Sequence, residues 1–150
     1  MELNHILNKL NVSRETLSNF NKYKELVISE NSKINLISKR SASKFMERHI
    51  IDCAQAIDFI DKNSKICTDL GSGAGLPGIV LAILMRDKNI DIEMNLYEKS
   101  YRKSIFLKSV SRELKLKTKI FQQDVFEKKN LLSGTIIARA FKPLPVILGL

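Results

Sequence analysis

The sequence predicts an α/β fold, an open sheet of parallel strands with helices packed on it, preceded by an N-terminal helical segment. Three observations predict it. From residue 65 onward, short apolar runs alternate with helical patterns, which is the arrangement of βαβ units with right-handed crossovers. A glycine-rich turn, Asp69-Leu70-Gly71-Ser72-Gly73-Ala74-Gly75-Leu76-Pro77-Gly78, joins the first such run to the first such helix. Before residue 65 the apolar residues recur at helical spacing. The expected division is 1–64 as a helical segment packed on the core and 65–150 as a ligand-binding α/β part, together one structural unit.

Residues 2–10 are expected to form a short first helix. Ser13 suits an N-cap for a second, with Glu15 in its first turn and Leu17, Phe20, Tyr23 and Val27 as a core stripe with no role beyond packing. Glu30-Asn31-Ser32-Lys33 breaks the pattern, and Ile34-Asn35-Leu36-Ile37-Ser38 follows as a short extended or turn segment. Ser43 is expected to cap a third helix whose stripe is Met46, Ile50, Cys53, Ile57 and Ile60. Arg48, His49 and Asp52 lie beside that stripe and can gather into a polar cluster near the ligand cleft. The α/β part then runs in order: a strand from Lys65 to Leu70, a helix to about Met85, and a strand from Ile90 to Tyr97. A helix from Ser104 to Leu116 follows, with Ile105, Leu107, Val110 and Leu114 inward, then strands at Thr118–Phe121 and Thr135–Ala138.

The glycine turn lies at the carboxyl end of a strand, where open α/β sheets bind ligands. Glycines at alternate positions let the backbone turn sharply and leave bare amides for a ligand. Pro77 suits the first helical turn, where its missing N–H costs nothing. Two ligands fit. Gly73 to Gly78 satisfies the dinucleotide pattern G-x-G-x-x-G. Asp69-x-Gly71-x-Gly73-x-Gly75 satisfies equally the S-adenosylmethionine loop of Rossmann-like methyltransferases. Glu98 ends the second strand twenty residues after Gly78. A carboxylate there can accept both ribose hydroxyls of an adenosine, which serves either ligand. Asp124 and Glu127 follow the third strand, where an acid and backbone amides can read an adenine edge and Phe126 can pack on the ring. Arg139 ends the fourth strand beside the cleft.

Composition narrows the classes. At 150 residues, with 44% hydrophobic and 27% charged residues, the chain has the makings of one soluble globular core. No apolar run approaches the ~18 residues of a membrane span. The N-terminus carries no signal-peptide pattern. Cys53 and Cys67 lack metal-ligand spacing and suit two reduced thiols in a cytoplasmic protein. The net charge of +9 points to a polyanionic partner. Much of it is concentrated in Lys99, Arg102, Lys103, Lys108, Arg112, Lys115, Lys117 and Lys119, against Glu113 alone, a pattern expected of a phosphate-contact surface. No Ser-His-Asp pattern, metal cluster, P-loop or pair of catalytic carboxylates is present, so no catalytic residue and no metal are assigned. Methyl transfer to a nitrogen with a free lone pair needs little acid–base help and suits that absence.

The same residues resemble the RsmG (GidB) family of methyltransferases, which act on small-subunit ribosomal RNA. Asp69 to Gly78 looks like the family's signature. Ile34-Asn35-Leu36 resembles its Asn-Leu-Thr segment, and Arg48-His49-Ile50-Ile51-Asp52-Cys53 its Arg-His-Ile-Leu-Asp-Ser helix. Arg102-Lys103 with Phe106-Leu107 resembles its Lys-Arg and Phe-Leu pair, and Ala138-Arg139-Ala140-Phe141 its Ser-Arg-Ala-Phe. The resemblance runs from about residue 15 to the end. It implies a class I methyltransferase sheet, with 65–150 as the S-adenosylmethionine-binding Rossmann-like domain. It also implies methylation of guanine N7 in 16S ribosomal RNA, on the RNA or on a small-subunit precursor, by a cytoplasmic monomer. Cofactor contacts are expected at Asp69, Gly71, Gly73, Leu76, Glu98, Phe126, Glu127 and Arg139, with Asp124 as the alternative in the third-strand register. RNA contacts are expected at Asn35, Arg48, His49, Arg102 and Lys103. An NAD(P)-dependent oxidoreductase and a non-catalytic RNA-binding module remain as alternatives.

The sequence departs from the family at Ile37 for Thr, at Cys53 for Ser, and in the inverted order of Arg102-Lys103. The first two remove hydroxyls, whereas the inversion keeps the charge. The family's sheet has seven strands and this sequence supplies four. The expectation is a truncated chain lacking the C-terminal strands, with an exposed sheet edge and part of the target-base wall removed.

Overall fold

The computed structural model describes residues 8–128 and 131–139, together with His5 and Leu148. Most of the expected first helix falls outside them, although 8–10 are helical; Ala140 and Phe141 also lie outside the described residues. Helix α1 (Arg14–Asn31) is capped by Ser13, whose Oγ accepts from Thr16 N at 3.1 Å. Leu17, Phe20, Tyr23 and Val27 are buried as the stripe predicts. The turn after α1 is held by Asn31 Oδ1, which accepts from the amides of Leu36 and Ile37 at 2.8 and 3.0 Å.

Ser43 does not cap a helix N-terminus. Its backbone is helical (φ −66°, ψ −21°), whereas an N-cap must be extended. Ser38 is extended (φ −70°, ψ 152°) and caps the short helix α2 (Lys39–Ala42) by accepting from Ser41 N. Ser43 follows that helix and donates its hydroxyl to Arg40 O at 2.9 Å. The next helical stretch is composite: π-helical over Met46–Ile51, one α-turn, α3 (Asp52–Ala54), and 3₁₀ over Gln55–Phe59. Met46, Ile50, Cys53, Ile57 and Ile60 are buried as expected, with Phe45 added to them.

The α/β part follows as β1 (Ile66–Leu70), α4 (Gly78–Asp87), β2 (Glu93–Tyr97), α5 (Tyr101–Glu113), β3 (Thr118–Phe121), a 3₁₀ turn (Val125–Glu127) and β4 (Thr135–Ala138). The sheet is parallel throughout, in the order β3-β2-β1-β4. That is the order of the first four strands of a Rossmann sheet, and the fold is Rossmann-like α/β. β2 begins later than Ile90 because Ile90 N bonds back to Met85 O at 2.8 Å and finishes α4. α5 begins earlier than Ser104 because Ser100 is its extended cap and accepts from Lys103 N at 3.3 Å. Ile105 lies about 200° around the helix from the buried Leu107, so it points outward, 43% exposed, and Phe106 takes the core position.

The helices pack on one face of the sheet, through Cys67, Met94 and Leu96. On the other face Leu70, Tyr97 and Val125 form a smaller cluster, where the Tyr97 and Phe121 rings stack at 4.7 Å. α4 is buried from Gly78 through Met85, and its end is tied to α1 by Asp87, which accepts from Ser13 Oγ at 2.8 Å and Thr16 Oγ1 at 2.5 Å. Among the described residues no helix is long and apolar enough to cross a membrane.

Gly78 opens α4 against the sheet. A Cβ built there would lie 2.2 Å from Leu96 Cδ2 and 2.6 Å from Asp69 Oδ2. Gly78→Ala is expected to destabilise the fold by about 1–3 kcal/mol, the usual cost of forcing a methyl into a packed site. Urea unfolding reads it, and an unshifted midpoint would refute the packing described.

Candidate active site

β1 ends at Leu70, and the backbone then takes left-handed conformations at Gly71 (φ 67°), Gly73 (φ 55°) and Gly75 (φ 97°), which side chains disfavour. The glycines at 73 and 75 do different work. A Cβ on Gly75 would lie 2.4 Å from Ile79 Cγ1, so that glycine permits packing beneath the loop. A Cβ on Gly73 would meet nothing nearer than Gly71 O at 4.0 Å, so the space it leaves faces an open cleft. Beneath the loop, Asp69 is fully buried; its Oδ2 accepts from Gly78 N at 3.0 Å, and its Oδ1 has no partner among the described residues. Tyr23 of α1 donates its hydroxyl to Ala74 O at 2.7 Å, so the helical stripe both packs and supports the turn.

Over the loop lies a cleft of about 270 Å³ at the carboxyl ends of β1, β2 and β3. Gly71 and Gly73 form one wall; Tyr97 ends β2 with Glu98 and Lys99 just after it, and Gln123 to Phe126 follow β3. Glu98 is 8% exposed, and its carboxylate accepts from Gly73 N at 3.3 Å and Ser100 N at 3.4 Å. It forms no ion pair with Lys99 or Arg102 and is held by backbone amides, leaving lone pairs for hydroxyl donors. Asp124 Oδ1 caps the 3₁₀ turn by accepting from Phe126 N at 3.0 Å.

On the other side of β1 the register pairs Leu70 with Ala138. Gly71 and Arg139 therefore leave the sheet side by side, about one strand spacing (~4.8 Å) apart. The Arg139 guanidinium is taken up by the composite helix. Its Nη1 lies 3.2 Å from His49 Nδ1 and 3.2 Å from Cys53 Sγ, and its Nη2 lies 3.4 Å from both Arg48 O and Asp52 Oδ2. A guanidinium only donates, so Nδ1 accepts and the His49 proton resides on Nε2. Burial, and then the Arg139 charge, lower the His49 pKa, which keeps the ring neutral. Burial raises the Cys53 thiol to about 11, so it packs as an inert thiol.

A family model described as GidB, rRNA small subunit methyltransferase G, matches residues 16–149. The chain is 51% identical over 147 residues to the ribosomal RNA small subunit methyltransferase G of Pelagibacter ubique, covering 97% of this chain and 69% of that protein. The proteins of the same name from Ruegeria pomeroyi and Cereibacter sphaeroides are 37% and 34% identical, covering 95% and 97% of this chain and 69% and 70% of theirs. The chain belongs to the GidB family. It is therefore a methyltransferase, built on the Rossmann-like sheet described above.

Against this GidB site, the residues singled out from sequence separate clearly. Gly71, Gly73, Glu98 and Phe126 line the cleft together with Asp124. Asp69 and Leu76 are buried beneath it, Glu127 is exposed beyond it, and Arg139 sits across β1 with Arg48 and His49. Asn35 is exposed on the turn after α1. Arg102 is exposed, whereas Lys103 lines the cleft. Tyr97, Gln123 and Val125 were not singled out, and Lys99 was named only for its charge; their signal was their place at or just after a strand end.

Burial, with Glu98 adding to it, pushes the Asp69 pKa to about 7 against the Gly78 hydrogen bond. An unfolded Asp titrates near ~4, so between about pH 4 and 7 the folded chain holds a proton that the unfolded chain has lost. Stability should fall as pH rises through that window, by at most about 4 kcal/mol at about 1.4 per unit. Asp69→Asn should flatten the decline. Urea unfolding at several pH values reads both, and an identical pH profile for the variant would refute the assignment.

Proposed function

We propose that this chain transfers a methyl group from S-adenosylmethionine to N7 of a guanine in 16S ribosomal RNA. The open cradle at Gly73 beside the amide-held carboxylate of Glu98 is the observation that carries the cofactor half of this reading. Bare backbone at Gly71 and Gly73 lets a ligand approach closely, and Glu98 would accept the ribose hydroxyls. Asp124 and the backbone around Val125 would take the adenine edge, with Phe126 against the ring. Asp69 serves beneath the turn by fixing the Gly78 amide, and Leu76 serves there by packing. Arg139 stands next to Gly71 at the sheet edge and orients the far wall. When bound, the cofactor supplies an activated methyl carbon. The protein's part is alignment, because guanine N7 carries a free lone pair and needs no base to release it. The substrate half rests on the family and on the names of its relatives, which also support RNA as partner and the cytoplasm as location.

Calorimetry with S-adenosylhomocysteine and with NADH separates this reading from an oxidoreductase, which the same Glu98 geometry would serve. Binding of NADH alone would overturn the cofactor assignment. Incubation with labelled cofactor and small-subunit RNA, followed by mass-spectrometric mapping, is expected to place the methyl on a guanine at N7. Modification at another base or atom would refute the substrate half.

Gly71→Val is expected to abolish S-adenosylhomocysteine binding and leave RNA affinity essentially unchanged. A branched side chain at φ 67° is strained and occupies the wall of the cleft. Loss of both affinities with the circular dichroism spectrum preserved would contradict that separation.

A further inference from the structure

The basic stretch between Lys99 and Lys119 divides into groups that its sequence does not distinguish. Lys117 pairs with Asp91 at 2.5 Å and Lys119 with Glu93 at 3.8 Å. Lys99 and Lys103 line the cleft. On α5, Arg102, Lys108 and Arg112 are exposed and form no ion pair with any described residue. Tyr101, Ile105, Lys108 and Arg112 follow one another at spacings of four, three and four residues, which stacks them on one helical face. That face lies opposite the buried Leu107, Val110 and Leu114. Tyr101 is 66% exposed and Ile105 43% exposed. Tyr101 thus stands in water at the end of α5 that adjoins Glu98 and Lys99 of the cleft, with Ile105 one turn along and the free cations Lys108 and Arg112 continuing the same face toward the other end.

We infer that this outer face of α5 binds unpaired nucleotides of the RNA substrate, with one base stacked on Tyr101 and phosphates further along the strand on Lys108 and Arg112. The inference rests on the proposed RNA substrate and adds where and in what form the RNA is held. A ring flanked by cations is the combination that grips single strands, because every base offers a π-face and every nucleotide a phosphate. A base inside a duplex keeps its faces against its neighbours and cannot reach the ring. Ile105, one turn along, supplies apolar surface for the edge of the same nucleotide.

The test uses fluorescence polarisation with a labelled single-stranded RNA and with the same sequence as a duplex, over a range of salt. Tyr101→Ala should weaken single-strand binding about tenfold with an unchanged salt slope, and Tyr101→Phe should restore it. Duplex binding should be indifferent to either change. Lys108→Ala combined with Arg112→Ala should flatten the salt dependence by about 0.7 in log–log slope for each phosphate no longer neutralised. Cofactor affinity should not change in any of these variants, since none of the residues lines the cleft. All are exposed, so unaltered urea midpoints are expected as the control for folding. Single-strand affinity unchanged in Tyr101→Ala, equal loss on single strand and duplex, or parallel salt lines for the double variant would each overturn the inference. Wild-type protein that binds S-adenosylhomocysteine but no RNA would overturn it as well. Methyl transfer to a different atom, with single-strand binding intact, would overturn the functional reading alone.

Discussion

The hydrogen bond from the Gly78 amide to the buried Asp69 carboxylate is the constraint around which the site is arranged. It ties the end of β1 to the first residue of α4, so the eight residues between must turn out of the sheet and back within that fixed span. No chain of ordinary residues does this without strain, and the three left-handed glycines meet the need. The same closeness denies Gly78 a side chain, because Leu96 and Asp69 already occupy the space. Burying a carboxyl here is costly, and its raised pKa reports that cost. In return the upper surface of the loop is bare backbone, held at a fixed height above the sheet.

The N-terminal helices are part of the site. Tyr23 reaches from α1 to the loop at Ala74, and its ring packs edge-on against Phe45 at 5.6 Å. Phe45 in turn packs edge-on against His49 at 5.4 Å, and His49 meets Arg139. An unbroken series of contacts thus runs beneath the turn, from the cleft side of β1 to the far side. The last step falls in the π-helical turn Met46–Ile51. The Arg48 carbonyl, His49, Asp52 and Cys53, three and four residues apart on one helical face, gather around one guanidinium. A neutral His49 suits this place, since a protonated ring would set a second cation against Arg139.

Much of this was legible in the sequence, for reasons that are themselves physical. The four strands and the glycine turn announce themselves because apolar runs and glycines at fixed offsets have few other uses. Glu98 was legible because its strand end lies next to the turn in any Rossmann-like sheet. The limits of α2 and α5 were misjudged because serines stood at several candidate caps, and only backbone conformation distinguishes Ser38 and Ser100 from Ser43. Ile105 faces outward whichever serine caps α5, because two residues of helix set it about 200° around the axis from the buried Leu107. The clustering of Arg48, His49 and Asp52 was expected, but its centre was not, since Arg139 lies ninety residues from His49 in sequence.

Charge shows most clearly where local sequence stops informing. Within the window from residue 99 to 119 the cations face a single acid, Glu113, and the whole stretch looks like one surface. The fold brings Asp91 and Glu93, from before and within β2, against Lys117 and Lys119 at the start of β3. Those pairs are exposed and contribute little to stability, but they cancel charge locally. The parallel register places them at the amino-terminal end of the sheet, away from the cleft. Of the unpaired cations, Lys99, Arg102 and Lys103 stand where α5 begins, beside Glu98, whereas Arg112 and Lys115 stand at its other end. Lys99 and Lys103, which line the cleft, and Arg102 beside them keep their charge, so positive potential remains at the mouth of the cleft, where a polyanion would dock.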